Sequence, residues 1–270
     1  MVLNGRDKAL LAGVLRVADS FWVLGHWYIK VMMNGRCLQD FNALASFTQD
    51  TLGFTRFLFR YAEETFELPE YQLEFGRDRE SVHAIHVLYE PPQSWGDFVV
   101  CAYMATAAAM EELSSYTSGA NSGLATLAGQ VRETAYFHLM YFEGWADAVT
   151  PEERVQAQDA LVRRLPLVLR WFSDEGGTVR LLADEGIRSR SVDEAQSAFL
   201  ERMGELAEVL KVELPEPVEP ALPGDWDARR RRSARSLPDQ LWGLMIPQTD
   251  EARLGRRPLA VSIEDRLDLF

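Results

Sequence analysis

Four histidines and a few nearby acids are the residues of this chain that invite a chemical reading. His83 and His86 stand three apart with Glu80 just upstream, a spacing that on a helix turns both rings towards one cation. A protein metal site needs three or more donors, and no third or fourth ligand accompanies this pair, so it reads as two histidines on a surface helix. His26 sits in the aromatic run Phe21, Trp22, Trp27 and Tyr28, where a hydrogen-bonded packing histidine is expected. His138 lies in a long apolar segment with Glu133 five residues before it. Five residues of helix is about 500° of rotation, which leaves the two side chains about 140° apart. They cannot hold one ion as a Glu-x-x-His pair does. The two cysteines, Cys37 and Cys101, fall in apolar helical stretches and read as small buried hydrophobes, with no zinc spacing and no disulfide framework. A Gly-x-Ser-x-Gly elbow and a phosphate-cradling glycine loop are both absent from the sequence.

Apolar spacing predicts the helices that must position these groups. A first helix is expected over 6–33, stopped by Asn34-Gly35, with glycine taking the left-handed conformation of a helix end. A second covers 39–64. Its Leu44, Phe47, Thr48, Thr51, Leu52, Thr55, Leu58 and Phe59 recur three and four apart and form one stripe. A short helix is predicted over 80–89, ended by Pro91-Pro92. Ser94 caps a third long helix over 94–116, whose run CAYMATAAAM is apolar on nearly every side and so calls for deep burial. The turn Ser118 to Gly123 leads into a fourth over 124–149. Thr150-Pro151-Glu152-Glu153 opens a fifth that runs to about residue 172, and an amphipathic helix covers 192–212. Strand-like alternation is nearly absent.

Pro215, Pro217, Pro220 and Pro223 then break the pattern. The expected division is a helical domain over 1–214 and an extension over 215–270 that packs on the bundle or on a partner. Within it Arg229, Arg230, Arg231, Arg232 and Arg235 read as a solvated or partner-facing arm.

Two helical hairpins, 17–64 and 95–149, give an all-α fold: a ferritin-like four-helix bundle core with additional helices and a less regular C-terminal tail. In that plan a di-metal centre draws one Glu from each of two helices and a Glu-x-x-His from each of the other two. Neither hairpin contains Glu-x-x-His. The aromatic set Phe47, Phe54, Phe57, Phe59, Tyr136, Phe137, Tyr141, Phe142 and Trp145 is expected in the core.

The segment from Leu24 to Arg56 contains LGHWYIK and then LQDFNALASFTQDTLGFTR, with Asp50-x-x-Gly53 in its second helix. It resembles the phenylacetic acid catabolic protein family, in particular the PaaC-type structural subunit of phenylacetyl-CoA epoxidase. The stretches EPPQSWGDF and YFHLMYFEGW resemble later segments of the same family. The resemblance covers about 17–172. It implies a multicomponent monooxygenase in which a PaaA-type subunit holds a di-iron site and inserts one oxygen atom into the aromatic ring of phenylacetyl-CoA. The PaaC-type subunit shares the fold, lacks a working metal site and forms a heteromer with the catalytic one.

The resemblance places the family's ligand positions on Lys30, on Thr51 and Phe54, on Thr106, and on Ala135 and His138. Only His138 keeps a ligand's chemistry. The implied assignment is therefore no catalytic, cofactor-binding or metal residue and no cofactor. Lys30 either stands as a positive charge where metals would sit, paired with Asp50 or Glu133, or points outward. A di-iron subunit of the PaaA type is the expected partner, with a homodimer as an alternative.

Composition bounds the rest. A net charge of −13, from 41 acidic and 28 basic side chains, repels nucleic acid. The N-terminal apolar run is soon broken by Arg16 and Asp19, unlike a signal peptide, and no stretch is expected to reach the roughly 18 apolar residues of a membrane span. A cytoplasmic location is expected. Three functions stay open: a non-catalytic subunit, a di-iron or single-metal monooxygenase with substituted ligands, and a stand-alone bundle whose emptied centre binds a small molecule. Loss of the ligands favours the first over the second.

Overall fold

The computed structural model describes residues 3–174, 177–217, 224–227, 231, 233 and 236–246. Among them the regular structure is helical throughout, with no strand. Helices begin where a side chain relieves amides that lack an intrahelical partner. α1 (Gly5–Val31) starts on Asn4, α4 (Trp95–Ser114) on Ser94, α5 (Ser122–Asp147) on Asn121 and α6 (Pro151–Leu169) on Thr150. Each of these caps accepts a hydrogen bond from the amide three residues on. At α6 the cap is reciprocal, since Glu153 reaches back to the Thr150 amide at 2.9 Å. α8 (Val192–Leu210) repeats the device with Ser191 and Glu194.

α1 pairs with α2 (Leu38–Thr65) and α4 with α5; α1 also packs on α4 and α2 on α5, which closes a square four-helix bundle. α4 is buried from Gly96 to Ser114 because its small residues admit neighbours on all sides. α6 lies over α4, and α8 over α4 and α5. Two seven-residue helices that the sequence did not announce, α7 (Thr178–Asp184) and α9 (Asp239–Met245), pack on α1. The four-residue α3 (Gln72–Phe75) sits on α2. The arrangement is ferritin-like.

Several expectations need correction. Gly35 is not left-handed (φ −60°, ψ 151°), and α1 ends instead in a 3-10 turn over Met32–Asn34. Glycine is needed there for space, because a Cβ would sit 2.7 Å from that of Asp40. Closer still, a Cβ on Gly119 would meet the Ile187 carbonyl oxygen at 1.9 Å, where the turn after α4 meets the segment after α7. No helix spans 80–89; two 3-10 turns, Arg79–Ser81 and His86–Tyr89, flank an extended stretch. Side chains from α1 replace the helical hydrogen bonds: the His83 amide donates to Asp19 Oδ2 at 2.6 Å and the Ile85 amide to Ser20 Oγ at 2.9 Å.

By length and hydropathy the segment Gly5–Asn34 does pass as a membrane span, contrary to expectation, but 94% of its most apolar window is buried inside the protein. Part of the C-terminal extension packs on the bundle. Leu237, Leu241 and Met245 are buried, and Trp242 stands edge-on to Trp22 with centroids 6.3 Å apart. Arg231 is also buried rather than solvated. Arg229, Arg230, Arg232, Arg235 and residues 247–270 lie outside the described residues.

Buried charges tie these layers together. Asp19 of α1 accepts both arms of Arg77, at 2.5 and 2.9 Å. Burial pushes its pKa up, but Arg77 and His83 outweigh this and hold it at about 2. Asp97 of α4 is ion-paired to Arg164 and, at 2.7 Å, to Arg163, both of α6. Glu112, near the end of α4, meets Arg188 at 2.6 Å, Arg16 at 3.5 Å and Arg231 at 3.9 Å, with all four side chains at most 2% exposed. The Tyr116 hydroxyl donates to the same carboxylate at 3.1 Å. Burial raises the Glu112 pKa, but the three arginines together hold it well below the usual carboxylate range.

Glu112→Ala strips the shared anion from three buried cations and should cost about 3–5 kcal/mol in denaturant unfolding. The same groups set an acid limit. Asp19 and Glu112 have depressed folded-state pKa values, so their contribution is full above their ordinary values near 4 and is lost as pH falls through the depressed ones. Unfolding midpoints should drop steeply between about pH 4 and 2, and Asp19→Asn should flatten that slope while lowering stability at pH 7.

Candidate functional site at the bundle centre

His138 of α5 is fully buried. Its ring lies near-parallel to Phe47 (centroids 4.0 Å, 31°) and Phe54 (6.0 Å, 27°), both from α2. Nε2 is 3.1 Å from Asp50 Oδ2, whose side chain is 35% exposed, whereas Nδ1 is buried without a hydrogen-bond partner. From α1, Tyr28 reaches into the same region, with Phe47, Phe98 and Phe142 at 6.0, 5.9 and 6.5 Å. Burial pushes the Tyr28 hydroxyl well above its ordinary pKa, with the Thr106 hydroxyl beside it acting the other way.

Helix geometry explains which expected positions arrive here. Thr51, Phe54, Thr106, Ala135 and His138 are all buried. Lys30 is not; it is exposed near the end of α1. Residues two apart on a helix point about 200° apart, so when Tyr28 faces inward Lys30 must face out. Asp50 therefore pairs with His138, and Glu133 is exposed. The Thr51 hydroxyl is spent on its own helix, donating to the Phe47 carbonyl at 2.6 Å. Thr48 and Thr55 likewise bond the carbonyls four residues back, at 2.8 and 2.9 Å.

A family model described as phenylacetic acid catabolic protein matches residues 2–229. The chain belongs to the phenylacetic acid catabolic protein family. The match reaches past the 17–172 stretch that carried the sequence resemblance, through α8 and into the arginine run. No curated protein matches the chain. Membership implicates it in phenylacetate catabolism.

A di-iron centre does not fit this member's bundle. Such a centre needs several anionic oxygens to offset the metal charge. The centre supplies one imidazole, one half-exposed carboxylate and hydroxyls, and among the described residues no group of three or more His, Cys, Asp or Glu side chains is placed to hold an ion. Glu80-Ser81-Val82-His83 does spell Glu-x-x-His, outside both hairpins. Glu80 stands exposed on a 3-10 turn and His83 is buried against Asp19, so the helical geometry the motif requires is missing. His86 is buried too, its Nε2 3.3 Å from Ser233 Oγ, so the pair is not on a surface helix. His26 does pack as expected, with Nδ1 2.7 Å from the Trp22 carbonyl oxygen and its pKa lowered by burial.

Two further expectations fail by exposure. Cys37 is exposed at the start of α2, and only Cys101 is buried. Phe57, Tyr136 and Phe137 project from the outer faces of α2 and α5 instead of filling the core, and Met140 joins them. Sequence reasoning passed over the Glu112 cluster altogether. The available signal was charge inside apolar helices: Arg16 and Asp19 in α1, Glu111 and Glu112 in α4.

His138 thus behaves as a ring in a stack. His138→Phe should keep the fold and shift the unfolding midpoint little, since it retains a ring and removes an unsatisfied nitrogen, while the Asp50 carboxylate it releases can turn to water. His138→Ala should cost about 2–4 kcal/mol by opening a cavity. Thermal unfolding of the two variants separates these outcomes.

Proposed function

We propose that this protein is a non-catalytic, PaaC-like subunit that supports a di-iron partner of the PaaA type in a ring-epoxidising monooxygenase acting on phenylacetyl-CoA. One observation carries the reading: aromatic rings and self-bonded threonines fill the bundle centre where that chemistry would require carboxylates. Without ligands the fold retains what a scaffold needs, a stiff helical body with an uncovered apolar side. Phe57 (59% exposed), Tyr136 (50%), Phe137 (64%) and Met140 (47%) give α2 and α5 outward apolar surface of the kind that marks a helical interface.

Among the described residues the substituted-ligand oxygenase lacks donors, and the small-molecule bundle lacks an emptied centre, because the rings occupy it. Co-expression with a tagged PaaA-type di-iron subunit tests the proposal. The two chains should co-elute, with iron stoichiometric with the tagged partner. Phe137→Asp should weaken the complex about tenfold or more while shifting this chain's own unfolding midpoint little. Two iron atoms per isolated chain, bound among α1, α2, α4 and α5, would overturn the reading.

A further inference from the structure

Lys30 leaves the bundle centre only to border a cavity of about 550 Å³ on the protein's surface. That volume falls within the roughly 300–1,000 Å³ of small-molecule sites. Its walls come from the end of α1, the Pro91-Pro92 turn and the start of α9. Trp27, Pro92 and Leu241 supply apolar surface. The indole N–H of Trp27 is already committed to the Leu88 carbonyl at 2.9 Å, so the ring offers this cavity only apolar surface.

Charge decides what such a cavity takes. Of the acids around it, Asp239 is ion-paired to Arg79, and Glu90, next to Pro91, meets Arg163 at 3.4 Å. Among the described residues no carboxylate pairs with Lys30. Its ammonium group is thus an uncommitted charge at a cavity lined by both apolar and polar residues, Asn34 and Gln240 among the latter. The protein's net charge of −13 repels large polyanions at long range, whereas a single negative group is attracted by a cation at contact.

The geometry points to a binding site for a small amphiphilic monocarboxylate, its head on Lys30 and its apolar body between Trp27 and Leu241. This site is separate from the bundle centre and does not depend on the proposed subunit role. Octanoate is the probe, titrated into the full chain and followed by calorimetry and by the indole signals in NMR. Octanoate should bind one site at least tenfold more tightly than octan-1-ol and should shift the Trp27 resonance. Lys30→Gln, a change at an exposed position, should weaken octanoate about five- to tenfold and leave octan-1-ol unchanged. The assignment fails if octylammonium binds as well as octanoate, if Lys30→Gln leaves octanoate affinity intact, or if no saturable binding is seen.

Discussion

Glu112 takes three guanidinium groups from three distant parts of the chain: Arg16 in α1, Arg188 after α7 and Arg231 beyond the proline-rich break. Removing these charges from water is costly, and a well-packed apolar cluster of the same size would often be as stable or more so. The cluster's effect is to select one arrangement. Only one axial setting of α1 against α4 puts Arg16 beside Glu112, and the loop after α7 and the C-terminal segment must both arrive before the carboxylate is fully paired. Glu111, next on the helix, repeats the logic outward, holding Arg190 at 2.8 Å and Arg202 of α8 at 2.9 Å. The last turns of α4 thus fasten the outer elements to the bundle. The apolar contacts elsewhere are less particular about register.

The bundle centre follows a different rule. A metal-bearing bundle keeps its middle polar and must neutralise like charges with ions. Here the same volume is filled with rings, which need no ion to be stable, and the Thr48, Thr51 and Thr55 hydroxyls bond carbonyls of their own helix. The contact between His138 and Asp50 at the edge of this region and the 3.3 Å bond from the Thr55 hydroxyl to the Ala18 carbonyl cross between helices. Ring packing, rather than ion binding, is what these side chains offer to hold the centre together.

The parts of this architecture that were legible in the sequence are those fixed locally. Ser94 and Thr150 act as caps because a hydroxyl and an amide three residues on are enough to define them. The stripe on α2 and the all-round burial of α4 follow from periodicity alone. What escaped was decided at long range. His83 and Ile85 look helical in sequence, but their amides are claimed by Asp19 and Ser20, more than sixty residues away. Lys30 and Tyr28 differ by a rotation that alignment to a family pattern resolves poorly and a helix axis resolves at once. Phe57, Tyr136 and Phe137 carry core-like side chains on outward faces, and composition does not distinguish such a face from a buried one. Arg231 sits in a run of arginines, where charge suggests solvent; its burial follows from Glu112, over a hundred residues earlier.

That last separation has a bearing on how the chain is made. Arg16 and Glu112 leave the ribosome early, Arg188 much later and Arg231 later still. Until residue 231 emerges, the growing polypeptide carries an acid in α4 with one of its three counterions withheld. Full neutralisation of this cluster thereby waits on chain made after α8, and a product cut short before residue 231 would keep the Glu112 carboxylate incompletely paired.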